Sequence, residues 1–453
     1  MRLVVGYVGL VGLLCAGGCT RVVDAVTAAG VTMTCTPQST DPDCAATPWP
    51  TVGHTHTANS DPWLVTHNQV ITSMSPQVLV LNFDDGVTDD RTMTYAQGVA
   101  STLAAGSMYH GYSDPTAHAF LNYEIAKVVD LTDSPQAGAV NVNIPLNSAG
   151  EFDPTALFTN ASFAQYYGYP DPNTPGGFLS LCQLFEQGVV NEVWIQDGGG
   201  TALPNGSLTP RAPLYAERKQ MYDQDGVAIP SSFAKCVGGG SSGTSSCLDV
   251  PCNVTVRLAH LDPSPAGGPG CDLQVRGWGI EGMWTALPSS LAVDGNAFLN
   301  QDFSTRFGVS FDDWPEICAA SPCISYSASL GGPTIAASTP GDATIFRIDP
   351  FLQGCGSSLF PPNAVGRDDF ENTTPVNSRC AHFGLRDGAN GQDTYLPYSA
   401  DSVIAGYDQT YTGTSQCPAG WEIYWRQSMP GYQNQATASD GTPMKNWWPL
   451  LFY

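Results

Sequence analysis

The chain has 453 residues and a formal net charge of −24, with 17 Lys+Arg set against 41 Asp+Glu. At 42% hydrophobic and 10% aromatic it can bury a sizeable core, which argues against whole-chain disorder. The acidic balance argues against nucleic acid as a partner and against adsorption to anionic lipid, since both need a basic surface. In chain order, residues 1–18 predict an export signal: Arg2 gives a positive start, Leu3 to Leu14 are mostly apolar, and Ala16-Gly17-Gly18 lead into Cys19. An apolar run of about 12 residues is too short to span about 30 Å of hydrocarbon, so it reads as a signal and not as an anchor.

The segment Leu14-Cys15-Ala16-Gly17-Gly18-Cys19 resembles a bacterial lipobox. The small residues before Cys19 fit; Ala16 departs from the Leu that the family prefers three residues before its Cys. The resemblance implies an envelope lipoprotein whose Cys19 carries lipid and becomes the first mature residue, with Thr20 suiting the outer membrane or cell surface. Residues 19–60 then read as a lipidated Cys and flexible tether, rich in Thr, Pro, Asp and Ala.

The chain has 14 cysteines, and 12 remain once Cys15 and Cys19 are set aside. In an oxidising compartment an even set reads as a disulfide framework. The set is Cys35, Cys44, Cys182, Cys236, Cys247, Cys252, Cys271, Cys318, Cys323, Cys355, Cys380 and Cys417. Spacing suggests Cys35 with Cys44, Cys318 with Cys323, and Cys236, Cys247, Cys252 and Cys271 among themselves. The absence of CxxC pairs argues against zinc.

Residues 61–292 read as an α/β domain. Val78-Leu79-Val80-Leu81 suits a strand buried on both faces. A helix follows from about Arg91, capped by Thr88 or Asp89, with Ala96, Val99, Ala100, Leu103 and Ala104 on one face. Residues 120–131 alternate as a strand, with Leu121, Tyr123, Ile125, Val129 and Leu131 on one side. Thr174 and Pro175 predict the start of a helix that Gly188 ends. Glu192 to Ile195 and Asn253 to Leu261 read as strands, and a helix around Ile280 to Leu287 is stopped by Pro288. Strand and helix in alternation predict a mostly parallel sheet flanked by helices. Residues 293–453 lose this rhythm and predict a loop-rich, disulfide-stapled region packed on or beside the domain. Its last 33 residues carry eight aromatics, which burial would use as an anchor and exposure as a stacking surface for saccharide.

Ligands of open parallel sheets bind at the carboxyl ends of the strands. Three predicted strands end in polar clusters: Asn82-Phe83-Asp84-Asp85-Gly86, Gln196-Asp197, and His260-Leu261-Asp262. Asp84, Asp85, Asp197, His260 and Asp262 are therefore candidate catalytic residues, with Glu281 as a second acid. Asp84, Asp85 and His260 are candidate ligands for a divalent cation. The same Asp-Gly pairs also serve as ordinary turns, and His260 shares strand parity with Val254, Val256 and Leu258.

The piece Leu81-Asn82-Phe83-Asp84-Asp85-Gly86 resembles the first motif of polysaccharide deacetylases. That resemblance implies Asp84 as base and Asp85 as metal ligand. The family's partner motif, two closely spaced His on a later segment, has no counterpart: His110 and His118 are eight apart, His54 and His56 two apart. The match spans six residues and carries no function by itself. Two functions are expected from the whole. One is a lipid-anchored hydrolase of an envelope or extracellular polymer; the other is a non-catalytic saccharide-binding or structural lipoprotein.

Overall fold

A computed structural model of the chain describes residues 45–49, 70–84, 87–131, 145, 148, 155–196, 217–219, 235–237, 252, 258–261, 336–337, 343–344, 355, 361–363, 372–404, 419–438 and 440–449. All lie within one unit, Thr32–Tyr453. The first elements are β1 (Thr47–Trp49) and β2 (Ile71–Met74), which pair in parallel. Trp49 is 1% exposed, so folded structure begins inside the stretch read as tether.

The central sheet starts with β3 (Gln77–Asn82), in which Val78 to Asn82 are all buried, as expected of a continuous apolar run covered on both faces. Thr88 then caps α1 (Asp89–Gly106), its hydroxyl accepting from the Arg91 N–H. Asp89 and Asp90 stand in the first turn, where carboxylates suit the helix dipole. Ala96, Val99, Ala100 and Leu103 are buried in the helical spacing that the sequence showed.

Next comes β4 (Glu124–Asp130), parallel to β3. Its pairing slips by one residue, with Ala126 extra between Ile125 and Lys127. A one-residue slip moves side chains to the other face. Tyr123, Ile125 and Val128 therefore face α1, while Val129 and Leu131 face the opposite side. The single-sided alternation expected over 120–131 is corrected by this bulge.

The chain crosses back through α2 (Ala156–Thr159), α3 (Ala161–Tyr167) and α4 (Leu181–Glu186). The start of α4 differs from the Thr174–Pro175 expectation. Those residues lie in a turn closed by Asp171 N–H to Gly177 O and Leu179 N–H to Tyr169 O, and Phe178 is 41% exposed. Ser180 caps α4 instead, in a reciprocal box with Gln183. Gly188 ends the helix as expected, at φ +67°, with Val189 N–H bonding Leu184 O and Gly188 N–H bonding Phe185 O.

The strand β5 (Glu192–Gln196) pairs in parallel with β3 on the side away from β4. A short antiparallel pair, β6 (Glu217–Lys219) with β7 (Lys235–Val237), precedes β8 (Leu258–Leu261), which pairs in parallel with β5. The sheet order is β4-β3-β5-β8, all parallel. The expected parallel sheet with helices is present. Val78 and Val80 share a cluster with α1, whereas Leu79 and Leu81 pack with residues of α2, α3 and α4. The two crossovers thus cover opposite faces, and the winding reverses between β3 and β5.

Later elements are the antiparallel pairs β9 (Ala336–Ala337) with β10 (Ala343–Thr344) and β11 (Val376–Ser378) with β12 (Leu396–Tyr398). Among the described residues the helices α5 (Ala400–Ile404) and α6 (Ala419–Gln427) follow. The last of these packs on α1, and Trp421, Trp425, Trp447 and Trp448 are buried in the cluster that contains Val78, Val80 and Trp194. Gly106 permits the close approach: a Cβ there would meet Arg426 Cδ at 3.2 Å. Gln427 seals the junction, its Nε2 donating to Ala105 O at 2.7 Å and its carbonyl accepting from His110 N–H at 2.8 Å.

Two cysteine pairs stand at disulfide distance, Cys182–Cys252 and Cys355–Cys380, with Cα separations of 5.0 and 4.5 Å. Cys252 therefore leaves the expected local group with Cys236, Cys247 and Cys271, because it lies against Cys182 on α4. The expected pairs Cys35–Cys44 and Cys318–Cys323, and Cys417, lie outside the described residues. Among the described residues no helix is long and apolar enough to cross a membrane.

Candidate functional site

The carboxyl ends of β3 and β5 meet where the winding reverses, the place where open α/β sheets leave a crevice for ligands. Asn82 and Gln196 are the last residues of these strands and lie in register with each other. Both are fully buried. Asn82 shapes the turn after β3: its Oδ1 accepts from Asp84 N–H at 3.0 Å and its Nδ2 donates to Val87 O at 3.0 Å. That turn delivers the half-buried Asp84 to Gln196, whose Nε2 approaches Asp84 Oδ2 at 3.4 Å. Among the described residues Gln196 Oε1 has no hydrogen-bond partner although it is buried. A buried acceptor left open is costly and marks a place where a ligand group or water belongs.

Two further carboxylates adjoin this turn. Asp89 is raised above the ordinary carboxylate range by burial first, then by the nearby charge of Asp130; Asn82 pulls the other way. Asp130 ends β4 opposite Asn82 in register. The edge therefore holds a carboxylate beside an amide at Asp84, and a second carboxyl, Asp89, that keeps its proton more readily. Two carboxyls in unlike surroundings can divide the roles of base and acid.

Of the residues singled out in the sequence, Asp84 lies just after β3, in contact with Gln196. His260 lies on β8 in register with Ile195, one residue before the strand ends; its side chain falls outside the described residues. Asp85, Asp197, Asp262 and Glu281 also lie outside them. Among the described residues no three of His, Cys, Asp or Glu gather as a metal-binding group. Sequence reasoning missed Gln196, Asp89 and Asp130 as members of the edge. The signal for Gln196 was its position as the last strand residue before Asp197; Asp89 looked like a helix cap alone.

A second polar corner was not visible in the sequence. His382 and Asp387 pair at 2.6 Å through Nδ1 and Oδ2, and Asp387 Oδ1 accepts from Thr394 N–H at 3.1 Å. Burial would raise Asp387, but the bonds from His382 and Thr394 outweigh it and hold its carboxyl below the usual range. His110 comes from the other side, after the end of α1, with φ at +55°. Its ring stacks on Tyr109 with centroids 4.0 Å apart, and Tyr112 lies 5.5 Å away. Burial, then the neighbouring His382, lowers its pKa to about 4, with Asp114 opposing. The ring is therefore neutral across ordinary pH.

Comparison with known protein families, with curated proteins and with solved structures finds no match to this chain.

Proposed function

We propose that this chain is a lipid-anchored extracytoplasmic hydrolase of an envelope or extracellular polymer, working at the carboxyl edge of its parallel sheet. Cys19 would carry the lipid and fix the protein to the outer membrane or cell surface. The paired cysteines support an oxidising compartment, where structural disulfides persist. The observation that carries the catalytic reading is the contact of Asp84 with Gln196 across neighbouring strand ends, beside a buried oxygen without a partner among the described residues. In this reading Asp84 takes a proton from the attacking water and Asp89 gives one to the leaving group, so that water adds across the cleaved bond. Asp85, Asp197, His260, Asp262 and Glu281 remain further candidates by their place in the sequence. The reading extends to a divalent cation held by Asp84, Asp85 and His260.

The alternative, a non-catalytic saccharide-binding or structural lipoprotein, drew on exposed C-terminal aromatics. Trp421, Trp425, Trp447 and Trp448 are instead core residues, and so unavailable as a flat stacking row. The test is turnover of cell-envelope polysaccharide by the full chain extracted in detergent, compared with Asp84→Ala. Loss of product release in the variant, with its melting temperature kept, supports the hydrolase; polymer binding without turnover supports the alternative. Metal analysis of the same two proteins examines the cation branch. Separately, Cys19→Ser should move the protein out of the membrane fraction, and continued membrane association would remove the lipid assignment.

A further inference from the structure

We propose that Gln196 is a specificity-determining residue of the carboxyl edge: its open Oε1 accepts a hydrogen bond from the substrate, and so selects saccharide that presents a free hydroxyl or ammonium donor there. This rests on the reading of that edge as the place where the polymer is held and cut.

The amide of Gln196 is used at one end and open at the other. Its Nε2 donates to Asp84 Oδ2 at 3.4 Å. An ionised carboxylate only accepts, so the nitrogen is the end that faces it and Oε1 is the end left over. Gln196 is fully buried, and among the described residues its Oε1 has no donor. Buried acceptors are nearly always paired, which makes this oxygen a place for a donor from outside the protein. Asn82, the neighbouring strand-end amide, differs. Its Oδ1 receives Asp84 N–H and its Nδ2 reaches Val87 O, so both of its ends are closed.

The backbone holds Gln196 to this position. Its carbonyl accepts from Phe83 N–H at 2.8 Å, and the residue is in register with Asn82 on one side and Leu261 on the other. Asp84 is half-buried and marks the way in. Its own carbonyl accepts from Val87 N–H at 3.1 Å, which closes the turn that carries it. One amide thus holds the base through its nitrogen and offers its oxygen to the substrate.

The chemistry of that oxygen sets the substrate class, because an amide oxygen can only accept. A sugar hydroxyl or an ammonium group satisfies it, in place of water. A methylated oxygen, a carboxylate or a phosphate placed there brings acceptors alone and leaves Oε1 unpaired in a buried setting. A site built to hydrogen-bond a substrate donor rejects analogues that lack it for this reason.

The test uses cell-envelope polysaccharide in three forms, native, O-methylated and N-acetylated. It reads binding by co-sedimentation and product release by the full chain in detergent. Capping the group that Gln196 accepts from should weaken binding at least tenfold. Loss on O-methylation assigns a hydroxyl; loss on N-acetylation assigns an ammonium. Gln196→Met, of similar length and without the amide, should bind native polymer at least tenfold more weakly and no longer prefer it to the capped form. Its melting temperature is compared with that of the unaltered chain. Capping changes the ligand alone, so the comparison on the unaltered chain stands even should Gln196→Met fail to fold. Equal binding of the three forms, binding of none, or a folded Gln196→Met that keeps the preference would overturn the proposal. Preferential binding without product release would remove the hydrolase alone. Product release that needs Asp84 but ignores both capping and Gln196→Met would remove this inference alone.

Discussion

The two faces of the central sheet are built by opposite strategies. One face is covered by α2, α3 and α4, which come from the contiguous stretch between β4 and β5. The other is covered by α1 together with α6 and the tryptophans that follow it, from more than 300 residues further along the chain. The first face can form from local contacts, with low loop-closure cost; the second waits for the C-terminal segment to return. The polar corner of His110 and His382 lies at that later junction, whereas the Asp84 edge follows directly from strand ends.

Substitutions sharpen this contrast. Trp425→Ala, at a fully buried position on α6, should cost about 3–5 kcal/mol and loosen the second face first, seen as early loss of hydrogen-exchange protection in α1. If α1 stays protected, α6 is not what closes that face. Removing the Cys182–Cys252 link, whose partners lie 70 residues apart, should cost up to about 4 kcal/mol on the chain-entropy account and loosen the first face. Urea midpoints of the double Ser variant measure it.

Acid should act on the second face. His110 refuses a proton in the folded chain until about pH 4, while the unfolded chain accepts one near 6.5. Stability is therefore retained above 6.5 and falls as pH drops from there toward about 4. His110→Asn should flatten that stretch of the midpoint-versus-pH curve; an unchanged slope would assign it to other groups. Helix caps give the smallest effects. Ser180→Ala should cost about 1 kcal/mol by opening the box with Gln183. Thr88→Ala should cost about 0.5 kcal/mol, since its bond to Arg91 N–H is long at 3.4 Å and exposed.

Much of the sheet was legible because its signals are local. A run such as Val78 to Leu81 has few ways to bury itself other than as a central strand, and Gly188 supplies the left-handed residue a helix end requires. The bulge at Ala126 was not legible, since alternation alone does not reveal an extra residue that only pairing with β3 exposes. The true start of α4 was masked by Thr174 and Pro175, which satisfy the rules for a helix start but serve a turn. Of the site, Asp84 was legible as a polar residue at a strand end. Gln196 was overlooked because an amide in a strand carries no motif, and its open oxygen exists only once the edge is packed.

What the sequence determined by itself is the set of short-range choices: strands, helix faces, and the polar residues that end each strand. Those follow from periodicity and backbone preference within a few residues. What only the tertiary structure decided is which distant groups meet. Cys182 with Cys252, α6 against α1, and Tyr112 bonded to Ala381 O are set by how the layers close over the sheet. Such meetings depend on the burial of large apolar surfaces from separate parts of the chain, a non-directional force that leaves no pattern at either partner's position.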